Sequence, residues 1–338
     1  MRYRTLPRTD VMVSEVGFGV WTLATGWWGD KDDREAVALL RAALERGITL
    51  YDTADSYGNG RGETILAEAF AGRRDEVVYS TKVGYDWYSH SGPRGQRELP
   101  HDWSPAFVRR SCERSLERLG TDRIDVYQLH NPRMDAIRSD ELFATLEDLV
   151  AEGKVRTYGV SLGPKIGWRD EGLAALSSRP ITSLTMIHNV LEQDPGRDLI
   201  AGAREADTGL FVRVPHSSGM LEGKYTTETT FPPNDHRSHR PRSWLLEGLQ
   251  KIEALGFLTE ERPHTLGQAA LKWLLAEPLV MSTLPNIYST EQLEEFAAAP
   301  DLPDLGDEDL ARVAALHAEN FGVVPEAATA EPASPAKA

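Results

Sequence analysis

Short apolar runs alternate with amphipathic stretches from near residue 16 to near residue 320, and this alternation limits the folds open to the chain. The strand-like runs are VGFGVW (16–21), TLYDTA (49–54), VVYSTKV (77–83), IDVYQLH (124–130), VRTYGVS (155–161), SLTMIHN (183–189), GLFVRVP (209–215) and VMSTLPN (280–286). Between them lie segments with helical spacing. DREAVALLRAALERG sets Ala36, Val37, Leu40 and Leu44 on one stripe, and SDELFATLEDLVAEG does the same with Leu142, Phe143, Leu146 and Leu149. Eight strands each followed by a helix predict a (β/α)8 barrel. A doubly wound open sheet would carry a glycine-rich turn straight after its first strand, as in G-x-G-x-x-G. Here Gly17 and Gly19 lie inside the first run, before Trp21. The chain is therefore expected to form one barrel domain over 1–321, followed by a disordered tail, 322–338, of Ala, Pro and Glu. Two longer connections, 85–103 and 216–263, follow strands and are expected on the rim that shapes substrate access.

Three of the runs end in an ionisable residue: Asp52, Lys82 and His130. Strands buried on both faces are normally apolar throughout, so these ends need a reason. In a barrel the carboxyl ends of all strands meet at one face, which makes the three neighbours, and Tyr57 in the loop after the second strand can lean over them. An acid, an ammonium, an imidazole and a phenol can move a proton without a metal. The phenol of Tyr57, with a free pKa near 10, is expected to be the acid. Lys82 would favour its phenolate, Asp52 would hold Lys82, and His130 would orient a substrate oxygen.

Charge and composition exclude several partners. A net charge of -15 argues against nucleic acid and against anionic lipid. No apolar run approaches the ~20 residues of a membrane span, and MRYRTLPRTD lacks the apolar core of a signal peptide. One cysteine, Cys112, on the apolar face of FVRRSCERSLERL, suits a reducing cytoplasm. His216, His236 and His239 lack the partners of a structural zinc site, so no metal is expected. Arg237, Arg240 and Arg242 in the same stretch are expected to meet an anionic group of substrate or cofactor. Nothing in the sequence indicates an oligomeric state.

DTADSYGNGRGETILAEAF, YSTKVG, VYQLHNP, GKVRTYGVS and MLEGKY, in this order, resemble the aldo-keto reductase family, and the similarity spans nearly all of residues 3–321. The resemblance implies a (β/α)8 barrel whose floor is closed by an N-terminal hairpin. It implies reduction of an aldehyde or ketone, sugar-like compounds among them, with NADPH or NADH. In that reaction Tyr57 protonates the carbonyl oxygen beside Asp52, Lys82 and His130. For the cofactor it points to Ser161, Thr185 and Arg213 at the nicotinamide, and to Ser217, Ser218, Gly219 and Lys224 at the pyrophosphate. Tyr288, Gln292 and Glu295 would meet the adenosine end. Several of these depart from the family pattern. Leu162 follows Ser161 where Asn is usual, Thr185 replaces Gln, and Arg213 replaces a stacking aromatic. A guanidinium can stack on a flat ring, but its charge disfavours the cationic oxidised nicotinamide. Tyr288 stands where Arg or Lys would pair with a 2′-phosphate, so nothing selects NADPH over NADH. Two other readings stay open. One is a regulatory subunit that binds the cofactor without turnover. The other is a redox-neutral isomerase or eliminating enzyme with Arg213 anchoring a carboxylate.

Overall fold

A computed structural model describes residues 1–29, 31–90, 98–164 and 168–324. A hairpin of β1 (Tyr3–Thr5) and β2 (Met12–Ser14) precedes eight further strands: β3 (Phe18–Gly19), β4 (Leu50–Asp52), β5 (Val78–Val83), β6 (Ile124–His130), β7 (Val155–Ser161), β8 (Ser183–Ile187), β9 (Gly209–Arg213) and β10 (Val280–Leu284). These eight pair in parallel with their sequence neighbours. The ring closes where Gly17 N donates to Thr283 O at 2.8 Å and Thr283 N donates to Glu15 O at 2.9 Å. The expected barrel is therefore present, with all eight strands where the apolar runs placed them.

Several strands stop short of the expected ends. Val20 already has helical torsions, and a helical turn over Trp21–Ala24 follows β3. After β9, Val214 adopts φ +57, a left-handed conformation that a β-branched residue rarely takes and that cannot continue a strand. The helices are bounded by chemistry legible in the sequence. Asp32 accepts from Glu35 N ahead of the helix Asp33–Glu45. Ser104 caps the helix Pro105–Leu119, whose first residue is proline and whose last turn ends at Gly120 with φ +61. Cys112 is buried in that helix's inner face.

The interior of the barrel is built in three levels, a consequence of the two-residue period of strands. Leu50, Val78, Val126 and Phe211 form an apolar floor, which Leu6, Val11 and Val13 of the hairpin region plug from below. One step up the same strands, the residues turn polar: Asp52, Ser80 and Gln128. A final step gives Lys82 and His130. Outward-facing Tyr51, Tyr79 and Tyr127 pack against the helices instead. The connection after β9 is well structured and includes a helix over Arg242–Glu253. Part of the connection after β5, and the expected tail from residue 325 onward, lie outside the described residues.

Candidate active site

The four residues singled out at the strand ends meet at the carboxyl mouth. Lys82 Nζ, 1% exposed, donates to Asp52 Oδ1 at 2.5 Å and to Thr53 O at 2.6 Å. The ring of Tyr57, half-buried, has the Lys82 ammonium 5.2 Å from its centroid. The same ring meets His130 edge-on at 5.7 Å. A phenol thus borders both an ammonium and an imidazole at one mouth.

Two residues that sequence reasoning passed over complete the support. Ser80 Oγ and Gln128 Nε2 both donate to Asp52 Oδ2, at 2.9 and 3.2 Å, and Gln128 Nε2 also reaches Ser80 Oγ at 2.7 Å. Thr185 Oγ1 in turn donates to Gln128 Oε1 at 2.6 Å. Both carboxylate oxygens of Asp52 are therefore satisfied, which a buried charge requires. A signal for them existed: Ser80 and Gln128 lie two residues before Lys82 and His130, on the same inward face.

His130 is held as a neutral imidazole. Burial, followed by the charges of Lys82 and Arg213, pushes its pKa well below 6.5. Its Nδ1 is buried and has no hydrogen-bond partner among the described residues. Tyr85 meets its ring edge-on at 4.9 Å, and His101 Nε2 lies 3.0 Å from its carbonyl oxygen. Tyr85, His101 and Trp103 stack in sequence, with centroid separations of 4.2 and 4.9 Å. The loop after β5 thus walls the site on the His130 side.

Behind Tyr57 lies a second ionic cluster that the sequence reading also missed. Asp55 is fully buried, with the Trp87 side chain and the Ser56 backbone near its carboxyl. Burial, then the neighbouring Glu63 carboxylate, pushes its pKa well above the usual carboxylate value. Glu63, also without solvent access, accepts from Thr81 Oγ1 and from Arg118 Nε, both at 2.6 Å. Through Glu63, the helix Arg61–Ala69 is tied to β5 and to the helix Pro105–Leu119.

The ten residues assigned to a cofactor fall into three groups. Ser161 is buried at the end of β7 and Thr185 in the middle of β8. Arg213, at the end of β9, donates from Nη2 to Leu162 O at 3.0 Å. Ser217, Ser218 and Gly219 follow with φ of +47, +57 and +91. A Cβ at Gly219 would stand 2.3 Å from Tyr225 Oη, so only glycine fits there. At the far end Lys224 pairs with Glu295 at 3.6 Å, Gln292 Nε2 donates to Glu222 at 2.9 Å, and Tyr288 packs against Trp28 at 6.1 Å. Among the described residues, no group of three His, Cys, Asp or Glu side chains is placed to hold a metal. Of the three arginines expected to face an anion, Arg237 pairs with Asp235 at 2.6 Å and Arg242 binds the Thr227 and Thr229 carbonyls. Arg240 Nη2 lies 3.4 Å from Ser218 Oγ.

Known proteins resemble this chain over most of its length. A model of the Aldo/keto reductase family matches residues 15–318. Aldo-keto reductase YhdN of Bacillus subtilis is 30% identical over 303 residues, 88% of each chain. The NADH-specific methylglyoxal reductase of Escherichia coli is 29% identical over 322 residues, 91% of this chain and 96% of the relative. Among solved structures, the glycerol dehydrogenase AKR11B4 from Gluconobacter oxydans superimposes with a TM-score of 0.82 at 26% identity, covering 97% of this chain and 99% of that one.

Proposed function

The chain belongs to the aldo/keto reductase family, and we propose that its one barrel unit, residues 1–321, reduces an aldehyde or ketone with Tyr57 as the proton donor. One observation carries this reading. Tyr57 stands over a Lys82 ammonium whose own charge is balanced by Asp52 at 2.5 Å.

Bound NAD(P)H supplies the hydride that reaches the carbonyl carbon, leaving NAD(P)+ and an alcohol. Tyr57 gives its proton to the carbonyl oxygen. The ammonium of Lys82 stabilises the negative charge left on the phenol oxygen. Asp52, with both oxygens occupied, fixes Lys82 and does not compete for that proton. His130, neutral because buried beside two cations, donates a hydrogen bond to the carbonyl oxygen and orients it. The Tyr85–His101 stack limits water on that side.

The loop from Val214 to Lys224 fits a nucleotide at its pyrophosphate. Gly219 brings backbone close where no Cβ is tolerated, and Lys224 is more than half exposed, with only a long ion pair. Ser161, Thr185 and Arg213 would hold the nicotinamide end, Ser217 and Ser218 the phosphates, and Tyr288, Gln292 and Glu295 the adenosine end. Tyr288, packed on Trp28, stands where a cation would pair with a 2′-phosphate and carries no charge to do so. NADH should therefore bind at least as well as NADPH. The NADH-specific relative from Escherichia coli supports that preference.

Tyr57→Phe tests the assignment. Turnover of an accepted aldehyde should fall by roughly 10²- to 10⁴-fold, the usual contribution of a positioned general acid. Nucleotide affinity, followed by nicotinamide fluorescence, should stay near that of the unchanged protein. Undiminished turnover would remove Tyr57 from the reaction.

A further inference from the structure

His130 is the last residue of β6, and on one side the pairing that could hold it has already run out. The ladder between β5 and β6 ends at Val83 and Leu129, one residue short. Beyond it Gly84 takes φ +145, and a Cβ there would stand 2.3 Å from the Trp103 ring. The chain leaves the barrel at this point as one arm of a short antiparallel stem. Asp86 N donates to Pro100 O at 2.8 Å, Asp102 N donates to Gly84 O at 2.9 Å, and Tyr85 pairs with His101. The stem turns back onto the end of β6. His101 Nε2 lies 3.0 Å from the His130 carbonyl oxygen, and Tyr85 Oη accepts from Asn131 Nδ2 at 2.7 Å. A carbonyl only accepts, so the His101 proton is on Nε2. Burial lowers the His101 pKa, which keeps the ring singly protonated near neutral pH. That ring lies flat between Tyr85 and Trp103, at interplanar angles of 23° and 15°.

The imidazole of His130 has little to anchor it directly. Its Nδ1 meets no partner among the described residues, and the ring meets Tyr57 and Tyr85 edge-on, at 79° and 72°. Such contacts are worth only about 0.5–1.5 kcal/mol each, and they do not choose where a ring nitrogen points. The place of the imidazole is therefore set mainly by the backbone that carries it. We propose that His101 is a positioning residue for His130: by holding the His130 carbonyl, it fixes the strand end from which the imidazole reaches the substrate oxygen. What His130 does there rests on the reductase reading above, whereas the positioning can be observed without turnover. A misplacement of about 1 Å can cost roughly a hundredfold in rate, so a hydrogen bond outside the pocket matters.

Two substitutions separate this role from packing. His101→Phe keeps a flat ring between Tyr85 and Trp103 but loses the donor, while His101→Gln loses the ring and keeps an N–H near the place of Nε2. With NADH and butanal, glyceraldehyde or methylglyoxal, His101→Phe should lower kcat by about tenfold to a hundredfold, with NADH affinity unchanged. His101→Gln should keep most of kcat. On a His130→Ala background His101→Phe should have no further effect, because it acts through the imidazole. Full kcat in His101→Phe, a loss in His101→Gln as large as that in His101→Phe, or an additive loss on the His130→Ala background overturns the proposal. In crystal structures of the two variants, the His130 imidazole should be displaced in His101→Phe and unmoved in His101→Gln. An imidazole unmoved in both also overturns it. If the unchanged protein reduces none of the three aldehydes while the imidazole moves as stated, the reductase reading fails and the positioning stands.

Discussion

Lys82 is an ammonium almost without access to water, and everything else about the site depends on how its charge is tolerated. Asp52 supplies the counter-charge at 2.5 Å, while Ser80 and Gln128 satisfy the other carboxylate oxygen. Removing one member of a buried pair leaves the other uncompensated, at a cost of roughly 3–5 kcal/mol. Asp52→Asn should therefore lower the urea midpoint by a corresponding amount and reduce turnover as well. Tyr57→Phe removes only a hydroxyl from a half-buried ring and should leave the midpoint nearly unchanged. If both variants were equally stable, Asp52 would not be the partner that holds Lys82. At this scale the sequence was legible in part. Three ionisable strand ends and a nearby tyrosine could be read directly, because charge is unexpected there. Ser80 and Gln128 could not be given partners without the register that sets Asp52 opposite Ser80 and Lys82 opposite Gln128.

Among the elements, the strands were the most legible because apolar runs bounded by turns fix their position. Their ends were less so, since a backbone torsion such as that of Val214 leaves no mark in hydropathy. The connections were the least legible: the Asp55–Glu63–Arg118 cluster brings together a turn and two helices, with Glu63 and Arg118 far apart in sequence. Strand pairing also imposes a requirement that only the structure shows. At Gly159 in β7, a Cβ would lie 2.2 Å from Ser183 Oγ and 2.5 Å from Ser183 O on the paired strand. Backbone of a paired strand cannot move aside without breaking the ladder. Gly159→Ala should thus destabilise the barrel by roughly 1–3 kcal/mol, as overpacking does. It should also disturb the site, because Ser161 and His130 pair two residues further along. A denaturant titration of the variant, with unchanged stability as the contrary result, checks this.

For the whole molecule, the barrel buries three imidazoles that must stay neutral, and this makes stability depend on pH in a definite direction. Burial is the first cause in each case: His188 and His216 are both pushed down to about 4, and His130 is lowered well below its usual value. An unfolded histidine takes up its proton near pH 6.5, whereas the folded one resists until far lower pH. Between those values the unfolded chain binds more protons, so stability is full above about pH 6.5 and is lost as pH falls. At pH 5 His188 and His216 should each cost roughly 2 kcal/mol relative to neutral pH. Asp55 and Glu222 work the other way, since a carboxyl raised by burial is easier to bury once protonated, but they are two groups against three. Carboxylates lowered by ion pairs, such as Asp304 with Lys272 and Asp309 with Arg262, lose their contribution only as pH falls below about 3.8. The window between pH 6.5 and 4 therefore belongs mainly to the histidines. Urea midpoints should drop steadily from pH 7.5 to pH 5, and His216→Gln should reduce that slope by the equivalent of one proton. His216 suits this test because its ring lies against Gly267 O and Phe296, away from the Lys82–Asp52 pair. A midpoint that stayed level across this range would mean that the buried imidazoles are not what limits the fold in acid.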